Sequence, residues 1–278
     1  MTTSKTSGRR RLPGLRVGEG FTRHPFDEEF GVRTSGLVAG RHLKSGHLHD
    51  RHATAYYGVA PSVFRALIRR WQKSRPGCAL EEISFIDVGA GMGRAMLLAA
   101  ELPFRQVVGV ELNPTLTRIG RRNLAVWRAS GRARTPIKLV SGDAVEFPLP
   151  EGPCLAFLFN PFGAPVLRRL LAAWRKSLAE QAEFENSRPG RKLRNADPST
   201  SLRTARVGHP VAQLDILYVN NEQEHVLEQQ AGFERLFLGQ VRRSRADAIA
   251  DHRILANQPD GEYASANYED CSMWRWVG

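Results

Sequence analysis

The stretch Ile83-Ser84-Phe85-Ile86-Asp87-Val88-Gly89-Ala90-Gly91-Met92-Gly93-Arg94 constrains this chain more than any other. An apolar run ends in an acid, three glycines follow at every second position, and a good helix former runs from Arg94 to Leu102. That order predicts a buried parallel strand, a tight turn, and a helix that begins at the turn. Glycine has no Cβ and tolerates positive φ, so such a turn lets the backbone approach a ligand closely. A dinucleotide site needs G-x-G-x-x-G, whose third glycine packs helix against strand. Here the spacing is G-x-G-x-G, and Arg94 stands where that third glycine would fall. Asp87, two residues before the first glycine, would repel a pyrophosphate and suits a ligand that carries positive charge.

The same alternation continues. A second buried strand, Gln106 to Glu111, ends in an acid 22 residues past Gly89, the distance at which an acid meets ribose hydroxyls in nucleoside-binding α/β folds. Asn113-Pro114 opens a helix to about Arg128. A third strand, Ile137 to Val140, leads into Ser141-Gly142-Asp143-Ala144. A fourth, Cys154 to Phe159, ends in Asn160-Pro161-Phe162-Gly163, and a long helix follows from about Ala164 to Ala182. A fifth strand spans Leu214 to Val219, a helix about Glu222 to Gln230, and a sixth strand Gly232 to Leu238. Tyr268 to Val277 reads as a seventh, with Trp274 and Trp276 on one face. Before the core, Val63, Phe64, Leu67, Ile68 and Trp71 form one stripe of an amphipathic helix that starts at Pro61. Strands alternating with helices predict an α/β fold, a doubly wound, mostly parallel seven-stranded sheet with helices on both faces. Ligands bind such sheets outside the carboxyl ends of the strands, where Asp87, Glu111, Asp143 and Asn160 all fall.

With those residues in place, the chain resembles the class I S-adenosylmethionine-dependent methyltransferases over about residues 55–240. Phe26 to Thr34 and the glycine turn also resemble a bacterial subgroup of that family without an assigned substrate. The resemblance implies methyl transfer from S-adenosylmethionine to an acceptor such as a nitrogen nucleophile. It places Asp87, Gly89 and Gly91 on the methionine part of the cofactor, Glu111 at the ribose hydroxyls and Asp143 at the adenine amino group, and counts Ala90, Leu112 and Ala144 among the cofactor-binding residues. Asn160, Pro161 and Phe162 line the meeting point of donor and acceptor, with Asn160 also touching the cofactor. Amino-methylating members often carry Asn/Asp-Pro-Pro-aromatic there, and this chain has one proline fewer. Methyl transfer is an in-line displacement on an activated methyl group, so the protein contributes mainly alignment. No residue stands out as a general base. His52, Tyr56 and Tyr57 either fold over the pocket, as the resemblance implies, or serve packing alone.

Two other function classes share parts of this sequence. An NAD-dependent oxidoreductase uses the same fold, but Asp87 and the missing third glycine oppose it. A non-enzymatic nucleic-acid-binding protein would use the net charge of +12. That charge is concentrated. Residues 1–20 hold five basic side chains against one acid, and residues 186–209 six against one. Both stretches are poor in apolar residues and read as flexible, solvated segments, and the rest of the chain is close to balanced.

The expected organisation is one domain in four stretches. Residues 1–46 are a basic tail and a docking segment, 47–182 the first part of the core, 183–212 a low-complexity basic insertion, and 213–278 the rest of the core. An insertion of that length is far longer than ordinary connections, and a substrate-binding loop is the functional alternative. His42, His47, His49 and His52 crowd one short stretch with Asp50, but no later cysteine or histidine pair completes a metal spacing. The stretch therefore reads as a polar loop, with no metal. Cys78, Cys154 and Cys271 are far apart, no apolar run reaches membrane-spanning length, and no secretory h-region follows Met1. A cytoplasmic enzyme is the expectation.

Overall fold

The computed structural model describes residues 22–74, 76–187, 213–256 and 266–278. The basic tail before residue 22 and most of the expected insertion lie outside the described residues.

Seven strands form one sheet. They are β1 (Ser84–Val88), β2 (Gln106–Glu111), β3 (Ile137–Ser141), β4 (Cys154–Phe159), β5 (Leu214–Val219), β6 (Phe233–Arg242) and β7 (Tyr268–Trp276), in the order β3-β2-β1-β4-β5-β7-β6. Strands β1 to β5 are parallel to their neighbours. β7 runs antiparallel between β5 and β6, so the sheet is mixed. The reversal at β7 is a property of pairing, which a strand's own apolar pattern does not carry.

The interior strands are apolar on both sides because both faces of the sheet are covered. Phe85, Leu155, Phe157 and Leu217 point into one core layer, with Val63, Phe64, Leu67 and Trp71 of α2 (Pro61–Lys73), Met96 and Leu97 of α3 (Arg94–Ala99), and Leu124 and Trp127 of α4 (Pro114–Ala129). Ile86, Val88, Ala156, Leu158, Ile216 and Tyr218 point the other way, onto Leu167, Leu170, Leu171 and Trp174 of α5 (Ala164–Ser187) and Val226 and Leu227 of α6 (Glu224–Glu228). Trp274 and Trp276 both lie on this second side. Helix α5 runs five residues past its expected end, because nothing before Pro189 breaks it.

A short helix, α1 (Pro25–Phe30), packs Phe26 and Phe30 against Trp127. Its Asp27 accepts hydrogen bonds from the Thr34 and Ser35 backbone (2.7 Å each). Arg94 lies 3.8 Å from Asp27 and donates to Thr34 Oγ1 (2.6 Å), Ser35 Oγ (3.1 Å) and Gly58 O (3.0 Å). The residue that replaces a third glycine thus ties the segment before the core onto helix α3. A last helix, α7 (Arg245–Ala256), has no counterpart in the sequence expectations. Its Asp247 accepts from the Ser62 N–H at the start of α2 (2.8 Å).

Candidate active site

The strand order reverses between β1 and β4, and a reversal opens a crevice at the carboxyl ends of the strands. The pocket found there is lined by Asp87, Gly89, Ala90, Glu111, Leu112, Asp143, Ala144, Pro161 and Phe162. Nine of the expected site residues, drawn from four strand ends, therefore meet around one cavity. Gly91 and Asn160 do not line it.

Gly91 is held below the surface. At φ +55°, a Cβ on it would lie 2.2 Å from the Tyr56 ring, and a Cβ on Gly89, at φ +70°, would lie 2.6 Å from Pro161. Only glycine at both positions lets the turn lie flat under Tyr56 and Pro161. Tyr56 is buried, and its hydroxyl donates to Thr34 O (2.8 Å), so its place is fixed by packing. Asn160 is buried at φ +37°, a left-handed conformation that asparagine tolerates better than most residues. Its carbonyl accepts from the Thr54 hydroxyl, and its Oδ1 lies 3.5 Å from the Tyr218 hydroxyl, at the limit of a hydrogen bond.

Two acids stand at the centre. The Glu111 carboxylate accepts the Gly91 N–H at one oxygen and the Asn113 N–H at the other, both at 2.7 Å, and so joins the glycine turn to the start of α4. Asn113 caps that helix through the Thr115 and Leu116 N–H groups. Burial raises the Glu111 carboxyl above its ordinary range, against the backbone N–H groups that favour its charge. Burial and then the charge of Glu111 push Asp87 up to about 8, with the Met96 N–H pulling the other way. Among the described residues no lysine or arginine pairs with either acid.

Asp143 forms the far wall. His49 Nδ1 is 3.0 Å from its Oδ2, at an angle short of a hydrogen bond, and His47 Nε2 is 4.0 Å away. The three side chains offer ligand atoms within 4.8 Å of one another. Arg169 lies 3.1 Å from His49 Nε2. A guanidinium only donates, so it fixes the ring proton on Nδ1, facing Asp143. His49 and Asp50 also line the pocket, and the histidine-rich stretch thereby forms part of the site.

The segment from His52 to Val59 straps across the pocket. Ala53 pairs with Phe162, the Thr54 N–H donates to Pro161 O (3.4 Å), and the Gly163 N–H donates to His52 O (3.0 Å). Tyr57 lines the cavity, and its hydroxyl donates to Asp251 of α7 at 2.6 Å. Asp251 was not legible as a site residue. It lies in no motif, and only the packing of α7 brings it here.

No protein-family model matches the chain, and no curated protein matches it. Among solved structures, it is similar to TrmN from Thermus thermophilus at 17% identity, over 79% of this chain and 49% of that one, with a TM-score of 0.42. It is similar to magnesium protoporphyrin IX methyltransferase from Synechocystis PCC 6803, solved with bound SAM, at 10% identity over 77% and 78%, TM-score 0.41. It is also similar to the cyclase SpnF, at 18% identity over 70% and 76%, TM-score 0.42. With seven strands in this order and β7 reversed, the chain has the class I methyltransferase fold that its sequence resembles. A fold hosts many chemistries, and the activity resides in the residues of the site.

Proposed function

We propose that the protein transfers a methyl group from S-adenosylmethionine to a nitrogen nucleophile. One observation carries the reading. Asp87 and Glu111 form a buried acid pair that no basic side chain balances, in front of a turn that only glycine can make. Such a pair raises its own pKa values and gains from a ligand that brings positive charge. S-adenosylmethionine carries two positive groups, an ammonium and a sulfonium. A dinucleotide brings the negative charge of a pyrophosphate instead.

Within this reading Asp87, Gly89 and Ala90 hold the methionine part, Glu111 and Leu112 the ribose, and Asp143 and Ala144 the adenine. When bound, the cofactor supplies a methyl group already activated for displacement. The chain's own work is to hold the acceptor about 3–3.5 Å from that carbon and to exclude water. Pro161 and Phe162 form the wall on the acceptor side. Asn160, behind them, keeps the turn in its left-handed conformation and thereby aims both, which is a positioning role.

The test is thermal shift with S-adenosylhomocysteine, NAD and nucleic acid in parallel, followed by a screen of amines, nucleosides and extract proteins with labelled methyl donor. Stabilisation by S-adenosylhomocysteine alone, with label passing to a nitrogen, is the expected result. Stabilisation by NAD in its place would overturn the reading.

A further inference from the structure

Beside the pocket, joined to it at Tyr57, lies a second group of charges that the cofactor reading does not use. Asp251 is fully buried and does not itself line the pocket. Its Oδ1 accepts the Tyr57 hydroxyl at 2.6 Å. Its Oδ2 lies 3.4 Å from Arg243 Nε without a hydrogen bond. Arg243 is also committed to the Glu269 carboxylate and to Ala266 O (2.5 Å). Two buried carboxyl groups therefore share one guanidinium, and the cluster holds more acid than base. It meets the pocket lining at Tyr57, whose hydroxyl makes the 2.6 Å hydrogen bond to Asp251. Burial and the charge of Asp251 hold that hydroxyl well above the ordinary tyrosine range, so it keeps its proton on Asp251. With its proton spent on Asp251, the oxygen is left as an acceptor.

We propose that the methyl acceptor is an amine, that Tyr57 is the catalytic residue that receives its N–H, and that Asp251 is the positioning residue behind it. The proposal rests on the S-adenosylmethionine reading above and deepens it. In the step, the amine lone pair forms the N–CH₃ bond as the C–S bond breaks, and the electron pair of that bond goes to sulfur, leaving a neutral thioether. The nitrogen becomes cationic. One of its protons passes to the Tyr57 oxygen while the Tyr57 proton moves to Asp251, which leaves a neutral methylated amine and a protonated Asp251. The proton returns by the same path when product leaves. An electron-rich hydroxyl backed by a buried carboxylate favours the cationic nitrogen over the neutral one, and it does so most as the charge develops.

The test needs no known acceptor. Sinefungin is S-adenosylmethionine with an amine-bearing carbon in place of the methylsulfonium, so its ammonium stands where the methyl group meets the acceptor. S-adenosylhomocysteine has no charge there. By calorimetry the parent protein should prefer sinefungin, and Tyr57→Phe should reduce that preference about tenfold, the worth of one hydrogen bond to a charged group. Its affinity for S-adenosylhomocysteine should stay near the parent value. Asp251→Asn should act in the same direction, a readout that a packing role would not move. An unchanged preference in a folded Tyr57→Phe protein overturns the proposal alone. A parent that binds neither compound overturns the cofactor reading and this proposal with it.

Discussion

Two regions of the sheet bury a strand acid, and they treat it in opposite ways. In β5, Asp215 accepts two hydrogen bonds from Arg275 (2.8 Å each) and one from Trp71 Nε1 (2.7 Å). In β1, Asp87 has a second carboxylate beside it and, among the described residues, no cation. Both strands are fully buried, and both acids are almost without solvent. A buried charge costs several kcal/mol unless it is paired, so Asp87, which lacks a cationic partner among the described residues, keeps its proton up to about pH 8. Asp215 fastens α2 to the sheet. Asp87 and Glu111 line the pocket instead.

The comparison can be broken at its structural end first. Arg275→Met should leave Asp215 buried with no cation, only the neutral donors Trp71 Nε1 (2.7 Å) and, at the limit of a hydrogen bond, Gln213 Nε2 (3.5 Å) among the described residues, and cost about 3 kcal/mol, the lower end for breaking a buried pair. A urea midpoint equal to that of the parent would place Asp215 and Asp87 in the same class. At the other end, Glu111→Ala should leave the fold intact and weaken S-adenosylhomocysteine binding at least tenfold, since two hydrogen bonds to a carboxylate are each worth about 1.5–3 kcal/mol. Calorimetry showing equal affinity would remove Glu111 from the site.

The smallest effect concerns protons. Asp87 is raised to about 8 in the folded chain, so below that pH it must lose a proton before it can face a cation as a carboxylate. Affinity for S-adenosylmethionine should rise about tenfold between pH 6 and pH 7, with proton release visible in buffers of different ionisation enthalpy. Asp87→Asn should abolish that dependence. The linked effect on stability has the opposite sign. A carboxyl with a raised folded pKa contributes stability that is complete at acid pH and lost as pH rises through about 8. The ligand-free Asp87→Asn protein should therefore melt no lower than the parent above that pH. A parent whose ligand affinity is flat across this range would mean that Asp87 is already ionised.

Much of this was legible in the chain. The bounds of β2, β4 and β5 coincide with their apolar runs, because an interior strand covered on both faces must be apolar throughout. The acids at the ends of β1 and β2 were readable for the same reason, since a charge closing such a run stands out. Helix α7 was not. Its inward stripe is Asp247, Ala250, Asp251 and Ile254, at i, i+3, i+4 and i+7. The spacing is helical, but two of the four are aspartates, and a pattern that counts acids as surface passes over them. The histidine stretch failed in another way. No spacing within that stretch points to Asp143, the neighbour of His47 and His49 in space, which is almost a hundred residues away.

The sequence by itself determined the alternation of strand and helix, the glycine turn, and which acids close which strands. These are local matters of periodicity, Cβ sterics and chain order. Tertiary structure alone decided that β7 lies reversed between β5 and β6, that Arg94 binds the segment before the core, that Asn160 turns away from the pocket while Pro161 and Phe162 face it, and that Asp251 stands behind Tyr57. Each of these depends on which distant groups satisfy a buried charge or a backbone hydrogen bond, and that is settled only once the layers have packed.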